Sequence, residues 1–395
     1  MLFLPQESSI DVNLLERMQE ENIVTSYKLF WFRGIFKEII SQNKEITFRR
    51  IVCRMIAEAW YPLIEYHLNF GAIDMLYDLC ILIHRKYKID SNISENKLLE
   101  FLEDLNDKEI ERGIRNLYNM VPYRLLAPFF VGEFQGIADH RRNKKIAELS
   151  HSRDDVFYKI NDKEKSIIIN QNWFNYIYKN QSIVYGWMSY KLIYFLQNRN
   201  PNVPAIPFKL AAPQERNLAK ARRFWNEVND RMPLYDIYTS KELTERNFKE
   251  YGGLSIDHFI PWSFVLHDEL WNLVPTFHNI NSSKSNRLPN LEHYMEKFCD
   301  LQYNAFKVAR KNKKLKKQLE DYLTINKNMD INALLHSDIQ KGYFVDSIKA
   351  TIKPLFQIAY NQGYGLWHED AADNGVNTPS VTNKISRGEI HTLKH

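Results

Sequence analysis

The stretch 256–289 combines carboxylate, imidazole, amide and ammonium side chains within a short span of the chain. Its polar members, in chain order, include Asp257, His258, Asn272, Asn281, Lys284 and Asn286. Oxygen-donor side chains beside an imidazole suit a hydrolytic site that uses a hard metal ion. We therefore take phosphodiester hydrolysis as the chemistry that this stretch is best equipped to perform.

Phosphodiester hydrolysis makes three demands on a site. Water must lose a proton, the developing negative charge must be neutralised, and the leaving 3′ oxygen must be stabilised. The imidazole of His258 can accept the proton, because histidine titrates near physiological pH. Asp257 supplies a carboxylate and Asn281 an amide carbonyl oxygen, and Mg²⁺ prefers such ligands. These residues predict a metal-dependent phosphodiesterase site.

A β-hairpin, a loop and a helix must position these groups. The predicted elements are a strand at 234–238, a turn at 239–241, a strand at 253–259 and a helix from about 279 onward. Neighbouring residues of a strand point to opposite faces, so Asp257 and His258 can reach a metal ion and a water molecule from different sides. Asn281 is predicted to lie near the N-terminus of the helix.

Two segments outside this stretch are rich in Lys and Arg. The segment 214–230 predicts a helix with Arg222 and Arg223 on or near one side, and 307–317 (KVARKNKKLKK) predicts a basic helix face. Beside a nuclease site, such residues can neutralise phosphates and make nucleic-acid affinity depend on salt. A solvated helix face is the alternative for both segments.

Composition restricts the class of protein. The chain has 395 residues, a formal net charge of +5 and a pI near 8.8, which mildly favours polyanionic partners. Cys53, Cys80 and Cys299 form no CxxC pair, so we expect neither a disulfide framework nor a cysteine zinc site. No apolar run approaches the roughly 18 residues that span a membrane, and the first residues lack a signal-peptide pattern. We expect a cytoplasmic protein that does not enter a membrane.

The fold is predicted to be mainly α with a small α+β insertion. Helical periodicity dominates the first part of the chain, two β-branched or aromatic runs at 155–170 predict a β-hairpin, and three prolines at 198–207 predict a linker. The predicted domains are a helical N-terminal domain at 1–150, a hairpin, helix and Pro-rich linker at 151–205, a nuclease domain at 206–300, a helical basic region at 301–367 and a flexible tail at 368–395.

The joint pattern DH-x-I-P, NLVPT and N-x-x-K-S-N-x-L-P resembles the HNH, or ββα-metal, endonuclease family. The resemblance covers about 233–290 and includes YTSKEL and YGGLSIDHFIPWSF. It is closest in motif to the HNH domain of the RNA-guided CRISPR type II nuclease. The fold that it implies is a β-hairpin and a helix around one metal ion.

The same resemblance implies a role for each polar residue. His258 is implied to be the general base, and Asp257 and Asn281 the metal ligands. Asn272 is implied to pin the loop and to orient His258, which makes it part of the catalytic set with His258 and Asn281. Lys284 is implied to contact phosphate.

Two departures from the family pattern change the expected metals. Many HNH proteins carry two CxxC pairs that bind a structural zinc, but these places hold Tyr235 with Tyr238 and Phe277 with Ile280. We therefore expect apolar packing there and no structural zinc. The last family residue is Asn281 rather than His, which favours Mg²⁺ or Mn²⁺ over softer metals.

The layout outside the motif resembles free-standing bacterial HNH proteins of anti-phage defence operons, since the chain is too short for guide-binding lobes. The expected function is a Mg²⁺-dependent DNA endonuclease, and one site that cuts one strand predicts nicking. Expected partners are DNA and a protein from the same defence operon. Two alternatives stay open: an RNase effector on the same fold, and a nucleic-acid-binding subunit of a larger complex that no longer cleaves.

Overall fold

A computed structural model describes most of the chain. The described ranges are 4–20, 25–71, 73–212, 216–325 and 339–368. The described part is mainly helical with two small sheets, which confirms the predicted fold class. The predicted flexible tail lies outside the described residues, apart from its first residue, His368.

The chain divides into two compact units at a different place from the predicted boundaries. The first unit is Met1–Arg216 together with Ser263–Leu266, and the second is Asn217–Trp262 together with His267–His395. The predicted linker at 198–207 lies inside the first unit, and its Val203 and Ile206 are 5% and 0% exposed. The prolines interrupt regular secondary structure in this segment, but its apolar residues are buried in the core. The segment is therefore not a linker between the two units.

In its described residues, the first unit has ten helices and three strands, with short 3-10 or π turns between them. In chain order these are α1 (Val12–Glu20), α2 (Tyr27–Ile40), β1 (Glu45–Thr47), α3 (Phe48–Trp60), α4 (Met75–Tyr87), α5 (Glu95–Asp104), α6 (Lys108–Leu117), α7 (Val121–Arg124), α8 (Asp139–Ser152), β2 (Tyr158–Asn161), β3 (Ser166–Ile169), α9 (Gln171–Lys179) and α10 (Gln181–Arg199). The apolar faces of α2 and α3 supply much of its core.

The predicted hairpin forms, and a third strand joins it. Strand β3 pairs antiparallel with β2 on one side and with β1 on the other. Thr47 ends β1 and begins α3, because its hydroxyl accepts a hydrogen bond from the backbone N–H of Arg50 at 3.2 Å. A local cap therefore turns the chain from strand to helix at this point.

A buried lysine secures residues 263–266 within the first unit. Lys209 is 0% exposed, and its Nζ donates a hydrogen bond to the carbonyl oxygen of Phe264 at 2.5 Å. The same ammonium lies 5.2 Å from the centre of the Phe264 ring. Burial lowers the pKa of Lys209 to about 7.

In the part of the second unit that the structure describes, helices pack around a two-stranded sheet. Its elements are α11 (Ala219–Asn229), α12 (Glu245–Tyr251), β4 (Leu254–His258), a 3-10 turn at Leu270–Asn272, β5 (Leu273–Phe277), α14 (His278–Lys284), α15 (Leu291–Arg310), a 3-10 segment at Lys316–Ile325 and α16 (Lys341–Asn361), while the short helix α13 (Trp262–Val265) begins in this unit and ends in the first. The basic segment 307–317 is not one helix, because α15 ends at Arg310 and a turn follows.

Candidate active site

The sheet that carries the predicted site pairs β4 with β5, not with 234–238. Asp257 lies opposite Val274 and His258 opposite Leu273 in an antiparallel register. The predicted strand at 234–238 makes only one isolated bridge, Tyr235 to Glu242. Its middle residue, Asp236, instead accepts hydrogen bonds from the backbone and hydroxyl of Thr239 at 2.9 and 2.6 Å. This local turn competes with an extended strand, so the hairpin prediction is wrong in its first strand.

Helix α14 follows β5 directly and brings Asn281 to β4. Asn281 Nδ2 donates to the hydroxyl of Ser255 at 2.7 Å and lies 3.4 Å from the carbonyl oxygen of Ile256. Close approach at the start of β4 depends on Gly252, whose φ is +82° and whose added Cβ would lie 3.0 Å from Cβ of His278. A side chain at this position would therefore be both strained and crowded.

The carboxylate of Asp257 is buried, and each of its oxygens has one partner within the protein. The phenol of Tyr238 donates a hydrogen bond to Oδ2 at 2.5 Å, and Lys284 Nζ lies 3.1 Å from Oδ1. Burial, followed by the negative charge of Asp257, raises the pKa of Tyr238 well above its usual range. The phenol therefore stays protonated and acts as a donor at neutral pH.

We predicted that Lys284 contacts phosphate, but its side chain lies in the interior of the domain. Its side chain is 0% exposed, and Nζ also donates to the carbonyl oxygen of His258 at 2.8 Å. Burial lowers the pKa of Lys284, and the ion pair with Asp257 opposes this shift. The reason for the difference is that the last turn of α14 packs on β4, which directs this side chain to the strand.

His258 has an acidic partner that the sequence did not reveal. Its Nε2 lies 2.8 Å from Oδ1 of Asp268, and the two side chains are 4% and 33% exposed. Asp268 lies in the polar run HDE, where nothing in the local pattern separates it from Glu269. Only the return of the chain from α13 to the 3-10 turn brings this carboxylate to the end of β4.

Asn272 holds the chain immediately after β4. Its Oδ1 accepts a hydrogen bond from the backbone N–H of Ile260 at 2.8 Å, and its Nδ2 donates to the carbonyl oxygen of Ile260 at 2.9 Å. The backbone of Asn272 also accepts a hydrogen bond from the N–H of Phe259 at 2.8 Å. The fully buried Asn272 thus holds both residues that follow His258, Ile260 through its side chain and Phe259 through its backbone.

The turn that ends at Asn272 is clamped by the C-terminal part of the second unit. Gln302 of α15 is fully buried, and its Nε2 donates to the carbonyl oxygens of Leu270 at 3.1 Å and Leu273 at 2.8 Å. The carboxylate of Asp321 accepts a hydrogen bond from the backbone N–H of Leu270 at 3.1 Å. Gln302 and Asp321 lie after residue 300. The domain boundary that we predicted at this residue therefore separates them from the turn that they hold.

Comparison with known families identifies this part of the chain. Residues 236–290 match the family model described as HNH endonuclease. This stretch is an HNH endonuclease domain. The match confirms the predicted family, and such a domain supports nuclease activity and nucleic-acid binding. No curated protein and no solved structure matches the chain.

The positions where many HNH proteins carry zinc-binding cysteines hold mostly buried aromatic and aliphatic side chains in this domain. Tyr238 lies in contact with Trp367, with ring centres 5.2 Å apart, and Phe277 and Ile280 are 0% and 5% exposed. Tyr235 differs from the expected apolar packing, because it is 54% exposed. The three cysteines of the chain are buried and form no disulfide.

The donor set of the HNH domain fits a hard divalent cation. Each Asp257 oxygen uses one lone pair for Tyr238 or Lys284 and keeps another. Asn281 engages its amide nitrogen with Ser255, so its carbonyl oxygen is the end left for a cation. No three His, Cys, Asp or Glu side chains are grouped to hold a metal within the described ranges. One carboxylate, one amide oxygen, waters and substrate phosphate form a set typical of Mg²⁺.

Two of the residues predicted to contact nucleic acid lie on a helix beside β4. Helix α11 packs on β4 and β5. Arg222 Nη1 donates to the carbonyl oxygen of Leu254, the first residue of β4, at 2.8 Å, and Arg223 is exposed one residue later. At the far end of α11, Glu227 lies 3.8 Å from Lys314 of the basic segment 307–317. The exposed cations of α11 thus lie in its first half, near the start of β4, and Lys314 lies beside its far end.

Among the described residues, no helix has the length and apolar character needed to cross a membrane.

Proposed function

We propose that the chain is a Mg²⁺- or Mn²⁺-dependent endonuclease that hydrolyses phosphodiester bonds of DNA. The single observation that carries this proposal is the juxtaposition of Asp257 and His258 at the end of β4 with Asn281 of α14 inside an HNH domain. Asp257 and Asn281 are the proposed metal ligands. A bound divalent cation supplies positive charge for the reacting phosphate and for the leaving oxygen.

The protein side chains divide the remaining work. His258 takes the proton from the attacking water, which makes it the proposed general base. Asn272 holds Ile260 through both backbone groups, and this contact supports a fixed direction for the end of β4. Tyr238 and Lys284 hold the two oxygens of Asp257, so the carboxylate is oriented before a cation arrives.

The proposed nucleic-acid surface runs along α11 and the basic segment 307–317. Arg222 and Arg223 are its members nearest to β4. In the segment 307–317, Lys311, Lys313 and Lys317 are exposed and have no acidic partner among the described residues. Each cation that neutralises a phosphate adds about 0.9 to the slope of log affinity against log salt for duplex DNA. Replacing Arg222 and Arg223 by Gln is therefore expected to lower this slope by about 1 to 2.

The deciding experiment uses the full chain and supercoiled plasmid. Wild type is incubated with Mg²⁺, with Mn²⁺ and with EDTA, beside His258→Ala and the matched control His293→Ala, which replaces an exposed histidine of α15. We expect open-circle or linear DNA from wild type and His293→Ala with metal only. Cleavage by His258→Ala would contradict the assignment of the base. If the protein degrades a matched RNA but not the DNA, the substrate is RNA and the proposal of a DNA endonuclease is wrong.

The same proposal includes a role in bacterial anti-phage defence with a protein partner from the same operon. Its support is the layout of the chain, an HNH domain joined to a helical unit that the family match does not cover. Cells that express wild type with the neighbouring genes are expected to reduce phage plating, and cells with His258→Ala are not. Equal plating on both strains would contradict the defence role but leave plasmid cleavage untouched.

A further inference from the structure

The contact between His258 and Asp268 determines which imidazole nitrogen is available for chemistry. Nε2 of His258 lies 2.8 Å from Oδ1 of Asp268. An ionised aspartate can only accept a hydrogen bond, so Nε2 must carry the hydrogen in this pair. In neutral imidazole the lone pair then resides on Nδ1. Nδ1 makes no hydrogen bond to any residue that the structure describes, which leaves it free for water.

Asp268 lies in the short loop between α13 and the 3-10 turn, and its side chain is 33% exposed. The preceding residue, His267, packs its ring 5.0 Å from that of Trp271, and the N–H of Glu269 lies 3.4 Å from Nδ1 of His267. The N–H of Leu270 is held by the carboxylate of Asp321. A loop held at His267, Glu269 and Leu270, on both sides of Asp268, can support a fixed side-chain direction.

The neighbouring imidazole does not compete for the carboxylate of Asp268. Burial lowers the pKa of His267 to about 4, so this ring is neutral at pH 7. His267 Nδ1 faces the backbone N–H of Glu269, and its ring packs at a tilt of 52° against that of Trp271. The carboxylate of Asp268 therefore pairs with His258.

We propose that Asp268 is a positioning residue that fixes His258 in the tautomer with hydrogen on Nε2 and presents Nδ1 to the attacking water. The inference rests on the proposed function, since it assigns the base nitrogen of that reaction. When a proton passes from water to Nδ1, the water becomes hydroxide and the ring becomes imidazolium. Asp268 stays ionised and faces the new positive charge through the same hydrogen bond.

Two readouts on the full chain test this assignment. Histidine-selective ¹⁵N NMR gives the tautomer of His258, with His258→Ala for assignment, and plasmid nicking with Mn²⁺ gives kcat and KM. The variants are Asp268→Ala, Asp268→Glu as the conservative replacement, and Glu269→Gln as the matched control on the same turn. Asp268→Ser takes the place of the alanine variant if that variant does not fold.

We expect Asp268→Ala to lose the predominance of the Nε2–H tautomer and to lower kcat by roughly 10²-fold, the scale of general-base catalysis, with KM unchanged. Asp268→Glu is expected to retain part of the Nε2–H predominance and part of kcat. Glu269→Gln is expected to match wild type in both measurements. An unchanged tautomer or an unchanged kcat in Asp268→Ala would overturn the assignment. If wild type nicks no plasmid, the proposed function fails, and the tautomer comparison alone still decides whether Asp268 positions His258.

Discussion

Lys284 Nζ lies 3.1 Å from Oδ1 of Asp257, and the two side chains are only 0% and 3% exposed. The proposed metal ligand therefore already has a cation of the protein beside it. Buried carboxylates are costly unless paired, so this ion pair explains how Asp257 can be held in the interior before a metal ion binds. It also means that a divalent cation must share the carboxylate with an ammonium group.

Replacing Lys284 by Met is expected to make folding depend on metal. Removal of one partner of a buried ion pair costs about 3–5 kcal/mol of unfolding free energy. A divalent cation that binds Asp257 in the folded state offsets this loss by mass action. In thermal unfolding, we expect Lys284→Met to melt well below wild type in EDTA and to gain more from Mn²⁺ than wild type gains.

The control for this variant is Lys341→Met, which removes a surface ion pair with Asp300 whose side chains are 56% and 53% exposed. Exposed pairs contribute about 0–1 kcal/mol, so this variant should melt near wild type with or without metal. An equal response of Lys284→Met and wild type to Mn²⁺ would contradict competition between Lys284 and a metal ion at Asp257.

Replacing Tyr238 by Phe separates orientation of Asp257 from packing. The phenol donates to Oδ2 of Asp257 at 2.5 Å, while the ring contacts Trp367 and Tyr294. Phenylalanine keeps the ring contacts, so we expect a loss of only about 1 kcal/mol in unfolding free energy. Loss of a hydrogen bond to a metal ligand commonly weakens metal binding or activity about 10–100-fold.

The measurement for Tyr238→Phe is plasmid nicking over a Mn²⁺ titration. We expect the half-saturating Mn²⁺ concentration to rise by about tenfold. The Tyr251→Phe variant serves as the matched control, because the Tyr251 ring packs on Phe277 and not on Asp257. A Mn²⁺ dependence of Tyr238→Phe that overlays wild type would show that the phenol does not orient Asp257.

Local sequence patterns predicted the strand that carries Asp257 and His258 and the helix that carries Asn281. They were sufficient there because the alternation of GLSIDHF and the start of α14 are local properties. The prediction of its partner strand was wrong, because the apolar and aromatic residues of 234–238 are also compatible with a turn that Asp236 stabilises through Thr239. A local pattern cannot decide between two such uses of one segment.

The contacts of the site were less accessible from the sequence than its elements. Lysine is usually exposed, so a buried Lys284 follows only from the packing of α14 on β4. Asp268 and His258 are ten residues apart, and their contact depends on the path of the loop between them. The clamp by Gln302 depends on a helix outside the HNH match. Such pairs require the tertiary structure.

Replacing Asn272 by Ala is expected to loosen the loop after β4. The variant leaves the buried N–H and carbonyl of Ile260 without the partners they have in wild type. Each unsatisfied buried group costs about 1–3 kcal/mol, so we expect the loss of two partners to lower the unfolding free energy by about 2–6 kcal/mol. Urea unfolding measures this loss, and plasmid nicking is expected to fall with it. Asn279→Ala, an exposed control on α14, should lie within about 0.5 kcal/mol of wild type.

The design of this pair of variants separates a local from a general effect. If Asn272→Ala unfolds at the same urea concentration as Asn279→Ala, the amide does not hold Ile260 in solution. If Asn272→Ala is destabilised but its nicking at a temperature where it is fully folded equals that of wild type, Asn272 supports the fold alone. The predicted contribution of Asn272 to the catalytic set would then be wrong.

Lys209 is expected to make the stability of the first unit rise with pH. Burial lowers its pKa to about 7 in the folded state, against about 10.5 for an exposed lysine. Between these values the unfolded chain binds a proton at Lys209 that the folded chain does not, so unfolding takes up a proton and becomes less favourable as pH rises. Below about pH 7 the difference in proton binding disappears.

The variant Lys209→Met removes this proton uptake and isolates it from all other titrations. Wild type should gain stability relative to Lys209→Met by about 1.4 kcal/mol for each pH unit in the middle of the window. Urea unfolding at pH 7, 8 and 9 measures the difference, in the transition that the substitution shifts. Lys97→Met, at an exposed position of the same unit, should give a difference from wild type that does not change with pH. A constant difference for Lys209→Met as well would mean that the amine stays charged against the carbonyl of Phe264, with a pKa near that of an exposed lysine.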